Sequence, residues 1–342
     1  MIRKERKPGE STRGQPRGFF PVLTIFLILL AMAVILSFSL GSRRVTFPEI
    51  IDALFRPEAS SYSINVIRRR IPRTFFGILC GASLGVSGAL MQAVTRNPIA
   101  DPSILGVNSG AALAVVWGIA FLNISRPAEY IGLALIGSFA TALFVYGIGS
   151  LGRGGATPVK LVLAGAAVSA ALSGIINAIM IPRSYVMDQF RFWQVGSIGA
   201  GTWQYTALLL PFSIAGIVLA VVMSSALNAM ALGDEAAISL GVKTGLIRLL
   251  AAAAGVVLCG SVTALAGPIG FLGLLAPHLI RLLLGSDLRY TIPMSAVAGS
   301  VILLISDVIG RLLTYPGELE VGVVTAFVGA PLLIYAAMRT KI

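Results

Sequence analysis

The side chains with chemistry to offer in this chain are cations. The stretch VIRRRIPRTFFG, residues 66–77, sets Arg68, Arg69, Arg70 and Arg73 directly ahead of an apolar run. Guanidinium groups stay charged in any surroundings and grip carboxylates with two parallel hydrogen bonds, so such a cluster suits holding an acidic partner rather than making or breaking bonds. A second pair lies in SDVIGRLLTYPGELEVG (306–322), where Asp307 and Arg311 stand four apart and can meet on one helix face. A charge at membrane depth is a functional hypothesis by default; the plainer alternative is an arginine anchoring a helix end. Nucleophilic, hydrolytic and redox chemistry lack their parts. His278 is the single histidine, and Cys80 and Cys259 each sit in an apolar run with no metal-ligand spacing.

The elements that carry these residues are membrane spans. A chain of 342 residues that is 56% hydrophobic and 12% charged is far from a soluble composition. Its 38 glycines suit closely packed membrane helices. At about 20 apolar residues per span, helices are expected near 19–41, 74–95, 103–122, 130–150, 159–181, 204–226, 246–266, 270–284, 291–309 and 319–338. The fold class is therefore an all-α polytopic membrane protein of about ten transmembrane helices, nine being the competing count if GPIG (267–270) does not separate two of them. Residues 1–18 are expected to form a basic cytoplasmic tail and 19–342 a single transmembrane domain.

Charge bias orients this arrangement. With the tail and the C-terminus in the cytoplasm, the inner side holds 15 of the 26 lysines and arginines, among them Arg96, Arg153, Lys160, Lys243, Arg248, Arg281, Arg289 and Lys341. Seven of the 11 outer ones fall between Arg43 and Arg73, so the positive-inside rule holds except in the arginine stretch, which is assigned a purpose outside the membrane. The net charge of +12 flanks spans and does not indicate nucleic acid.

Other motifs divide into packing, turns and contacts. Gly77, Gly81 and Gly85 form a small-residue stripe for close helix packing. In NPIADPS (97–103), Asp101 can cap free amides and Pro102 can open a helix; Pro72 is likewise suited to opening the second span. GIGSLG (147–152) ends a span instead of following a strand, and GVKTG (241–245) lacks the glycine before its lysine, so neither is a nucleotide loop. DQFRFWQVGS (188–197) reads as an interfacial aromatic belt. In ALNAMALGDEAAISLGV (226–242), a short helix carries Asp234 and Glu235 in its first turn, with Ala236, Ala237 and Leu240 on one face. Such a helix can dock into a partner's groove or lie on the bilayer.

RIPRTFFGILCGASLGVSGALMQAVTRNPIADPSILGVNSGA (70–111), GPIGFLGLLAPHLIRLLLGSD (267–287) and SDVIGRLLTYPGELEVGVVTAFVGAPLLIY (306–335) resemble the permease subunits of ATP-binding-cassette importers for ferric siderophores, haem and cobalamin. RFWQVGS and TPVKLVLAG place the likeness nearest the ferric-enterobactin branch. The resemblance implies two inverted repeats, helices 2–5 and 7–10, in a bacterial cytoplasmic (inner) membrane protein. Its implied partners are a second permease, two cytoplasmic ATPases that bind ATP and Mg, an extracytoplasmic substrate-binding protein, a ferric-siderophore ligand and membrane lipid. No cofactor or metal is implied for this chain itself, which would not be an enzyme. The family's docking arginines fall on Arg70, Arg73 and Arg311. Its ATPase-coupling loop falls at about 227–245, on Gly233, Asp234, Glu235, Ala237, Leu240 and Gly241. A candidate inner gate falls on Thr157, Pro158, Val159 and Lys160, where Pro158 and Val159 replace hydroxyl residues of the cobalamin importer. A haem or cobalamin permease is the alternative within the family. An ion-coupled secondary carrier is the alternative from another class, and it would need acidic residues at helix breaks near the midplane, which the sequence does not offer.

Overall fold

The computed structural model describes residues 18–41, 45–56, 61–124, 127–152, 157–314 and 317–339. The basic tail at 1–17, Arg43, Arg153 and Lys341, used in the charge argument, lie outside these. The helices are α1 (Phe19–Ser39), α2 (Phe47–Phe55), α3 (Tyr62–Thr95), α4 (Val107–Leu122), α5 (Pro127–Ser150), α6 (Pro158–Met180), α7 (Ser184–Gln194), α8 (Trp203–Ala231), α9 (Asp234–Ser239), α10 (Thr244–Ala266), α11 (Leu272–Leu284), α12 (Leu288–Leu313) and α13 (Val321–Arg339). Among the described residues seven of them, α1, α3, α5, α6, α8, α10 and α12, are long and apolar enough to cross a membrane. The shorter apolar helices α4, α11 and α13 occupy the remaining expected spans.

The boundary that matters most differs from expectation. The second span begins at Tyr62, with Ser61 as its cap, its side chain accepting from Ile64 N at 3.2 Å. Pro72 is therefore interior to α3 and does not open it, and the positive end of the helix dipole lies well before the arginines. The polar serine and asparagine flanking Ile64 hid this extension, because an apolar window is blind to helix that runs past the hydrocarbon. The break at GPIG is real: Gly267 ends α10 at φ +74°, and Phe271, also at positive φ, starts α11. Asp101 accepts from Ser103 N at 2.9 Å, but the turn it caps is a short 3-10 segment, Pro102–Leu105, which Gly106 at φ +73° separates from α4.

Burial locates the centre. Of the most apolar stretch of each helix, 83% is buried in α3, 72% in α10 and 67% in α12, against 11% in α1. So α3, α10 and α12 are wrapped by the others, and α1 lies at the rim. The glycine stripe explains how α3 gets so close to α12: a Cβ on Gly81 would stand 2.5 Å from the Gly299 carbonyl and 2.6 Å from Ser300 Cα. Gly85 and Gly88 abut the backbone of Ser295 and Gly273 in the same way. Polar side chains close the seams, Ser300 Oγ donating to Ile78 O at 2.8 Å and Ser87 Oγ to Gly255 O at 2.7 Å.

α2, α7 and α9 are short helices between spans. The first carries a local sequence signature: TFPE (46–49) is a capping box, with Thr46 N donating to Glu49 Oε2 at 2.8 Å and Pro48 in the first turn.

Candidate functional site

The charged side chains gather at the two ends of the bundle. At one, called the arginine end, the last turn of α1, the first half of α3 and the last turns of α12 converge. Asp307, 3% exposed, is the hub. Arg73 Nη2 donates to Asp307 Oδ1 at 2.7 Å, and Arg311 Nη2 pairs with Asp307 Oδ2 at 2.8 Å. The expected Asp307–Arg311 pair thus forms, with a third member supplied by α3.

Arg70 and Arg311, expected on an exposed landing surface, are instead buried, Arg311 to 1%. The reason is the end of α1. A helix leaves its last carbonyls without intrahelical donors, at the negative end of its dipole. Arg311 Nη1 donates to the carbonyls of Ser37 (3.0 Å) and Leu40 (3.2 Å), its Nη2 to Ser37 Oγ (2.9 Å), and Arg70 Nη1 to the Phe38 carbonyl (2.8 Å). Gly41 makes room, since a Cβ there would lie 2.5 Å from Arg70 Nη2. Arg70 and Arg311 are therefore the C-terminal cap of a distant helix. Of the three sequence-assigned arginines Arg73 is the most accessible, its side chain 13% exposed, and its Nη1 donates to Glu318 Oε2 at 2.7 Å. Glu318 went unnoticed in the sequence, as did Ser37, because neither carries a local signal for a partner so far along the chain.

At the opposite, α9 end, Asp234 binds two arginines from other helices. Arg248 Nη2 reaches its two oxygens at 3.1 and 3.2 Å, and Arg96, the left-handed C-cap of α3, pairs with Asp234 and donates to Met230 O at 2.7 Å. Burial alone would raise the Asp234 carboxyl, but hydrogen bonding and charge from Arg248, then Arg96, outweigh it and hold the group below its ordinary value. Ala237 is fully buried beneath α9, whereas Ile238 (60%) and Leu240 (65%) are exposed. Leu240 therefore does not share the face of Ala237, as it lies at the cap, beyond the last helical residue. Glu235 is exposed. Gly233 (φ +121°) and Gly241 (φ +81°) bracket the helix in open space, so it is backbone conformation, not packing, that calls for glycine there. Nearby, Asn228 Nδ2 donates to Asp287 Oδ1 at 2.6 Å, tying α8 to the start of α12.

The TPVK segment is the first turn of α6. Thr157 caps it, Pro158 fills its first position, Val159 is 68% exposed, and Lys160 Nζ donates to Leu151 O at 3.1 Å. A cleft of about 360 Å³ lies between α4, α6 and α7, lined by Asn108, Ser173, Asn177, Phe190, Trp193 and Gln194 among others. Among the described residues, no group of three or more His, Cys, Asp or Glu side chains is placed to hold a metal ion.

A glycine-packed bundle of long apolar helices, with the ion pairs described above toward its two ends, has the build of a polytopic membrane protein. The chain belongs to the FecCD transport family, which it matches over residues 28–339. It is 42% identical over 314 residues to the ferric enterobactin transport system permease protein FepD of Escherichia coli strain K12, covering 92% of this chain and 93% of that protein. It is 41% identical to the Fe(3+)-citrate import system permease protein YfmD of Bacillus subtilis strain 168, over 93% and 94% of the two chains. The hemin transport system permease protein HmuU of Yersinia pestis is 33% identical, over 96% and 98%. The fold matches a solved inward-facing structure of a metal-chelate type ABC transporter, with TM-score 0.81 at 24% identity, across 94% of this chain and 99% of that one. This chain is thus a permease subunit of an ABC importer and a multi-pass membrane protein.

Proposed function

We propose that this subunit, with a second permease copy or paralogue, moves a ferric siderophore across the bacterial cytoplasmic membrane by alternating access. Two cytoplasmic ATPases that bind ATP and Mg drive the cycle, and an extracytoplasmic binding protein delivers the ligand. The observation that carries the reading is the 42% identity to a ferric-enterobactin permease across 92% of the chain. In this reading both termini are cytoplasmic, the α9 end faces the ATPases, and the arginine end faces outward.

The two ends divide the work. Ile238 and Leu240 offer an apolar contact to the ATPase while Asp234 clamps α9 to α3 and α10, so that motion of the ATPase is transmitted to the central helices. Thr157, Pro158, Val159 and Lys160, at the start of α6 on the cytoplasmic side, form the inner gate. Arg73 is the contact for an acidic group on the binding protein; Arg70 and Arg311 hold α1 in place and lend positive potential. Uptake of radioiron-labelled siderophores into vesicles containing the whole importer tests this. Import of ferric enterobactin or another ferric siderophore that stops when ATP hydrolysis is blocked is the expected result. Transport that continues on an ion gradient alone, or import of haem in place of siderophores, would overturn it.

A further inference from the structure

We infer that Glu318 is the exchangeable partner of Arg73: it fills the docking position in the free permease, and a carboxylate of the arriving binding protein replaces it, releasing the strap 317–322 from the end of α7. The inference rests on the reading of Arg73 as a docking contact.

The two acids on Arg73 are unequal. Asp307 is 3% exposed and shared with buried Arg311, so its removal from the guanidinium would leave charges stranded in the interior. Glu318 is 40% exposed, so its carboxylate can pass into water at small cost. An incoming acid therefore competes with Glu318 and leaves Asp307 in place.

Glu318 also sits on a strap with consequences elsewhere. Leu319 N donates to Gly310 O at 3.1 Å, and Gly322 N donates to Gly196 O at 3.1 Å, just past α7. A Cβ on Gly322 would collide with the Val195 carbonyl, so strap and α7 end are in backbone contact. Phe190, Trp193 and Gln194 of α7 form one wall of the cleft whose other wall holds Asn108 and Asn177. Loss of the Glu318 contact thus loosens a segment leading directly to that wall, and links arrival of the binding protein to opening of the cleft.

The test uses the complete reconstituted importer and its purified binding protein, titrated at low salt. Glu318→Gln should tighten docking about two- to fivefold, the range set by a part-exposed ion pair. Asp188→Asn, which removes a more exposed acid that pairs with Arg191 on α7, reports the general charge effect and should change docking less. Arg73→Gln should weaken docking at least tenfold. If Arg73→Gln leaves docking unchanged, the docking role of Arg73 falls. If it weakens docking while Glu318→Gln matches Asp188→Asn, the exchange falls alone. Amide hydrogen exchange in the wild-type importer supplies a readout independent of any variant: docking should speed exchange at Gly322, and unchanged protection there overturns release of the strap.

Discussion

Arg73 Nη2 and Asp307 Oδ1 meet at 2.7 Å although 234 residues of chain separate them. Their contact joins α3 to α12 next to the pair that ties α12 to the end of α1, so one carboxylate organises three helices. A charge this buried is retained only because two guanidinium groups face it, and those groups in turn depend on it.

Asp307→Asn should therefore destabilise the bundle by roughly 3–5 kcal/mol, the cost of leaving buried charge uncompensated. Thermal unfolding in detergent should show a large loss, while Glu318→Gln shifts it by about 1 kcal/mol or less. Equal effects from the two would show that Asp307 is no hub.

The α3–α12 crossing sets a second expectation. Gly81→Ala places a methyl 2.5 Å from a carbonyl on backbone that cannot retreat as a side chain can, and should cost about 1–3 kcal/mol. Gly132→Ala, on α5 with nothing within 4 Å, should be neutral or stabilising by up to about 1 kcal/mol. Paired melting curves of the two variants distinguish crowding from a generic glycine effect.

Attachment of α9 should depend on pH. Since the folded Asp234 carboxyl titrates below its unfolded value of about 3.9, its contribution is complete above that unfolded value and is lost as pH falls through the depressed folded one. Labelling at position 237, in Ala237→Cys, taken as a ratio to an exposed cysteine at the same pH, in Leu151→Cys, so that the falling thiolate fraction cancels, should stay slow from neutral pH down to about 5 and rise below about 4. Asp234→Asn should label fast throughout; a ratio independent of pH in the parent would refute the clamp.

Ile238→Asp and Leu240→Asp change exposed positions, and should leave the permease fold within about 0.5 kcal/mol of its parent. Under the proposed function both should lower ATPase capture from purified components by at least tenfold. Full ATPase binding by the double variant would move the coupling contact elsewhere.

Much of this could be read from residue order. Apolar length located the spans, and even the disputed break at GPIG followed from the proline and glycines there. The i, i+4 spacing of Asp307 and Arg311 correctly announced an ion pair. The glycine stripe correctly announced a close crossing, though not that α12 lies across it. The start of α3 was misplaced because hydropathy marks where a helix meets hydrocarbon, and Tyr62–Ile71 is helix outside that criterion.

What the sequence by itself determined is whatever repeats within a turn or two of helix: the membrane class, the span positions, the caps and the local pairs. Tertiary structure alone decided where each arginine is placed. Arg70, Arg73 and Arg311 are the same residue type in similarly charged company, yet two are buried against the final carbonyls of α1 and one reaches the surface beside Glu318. The difference lies in where unsatisfied carbonyls come to rest once helices far apart in the chain have packed, and no local pattern encodes that meeting.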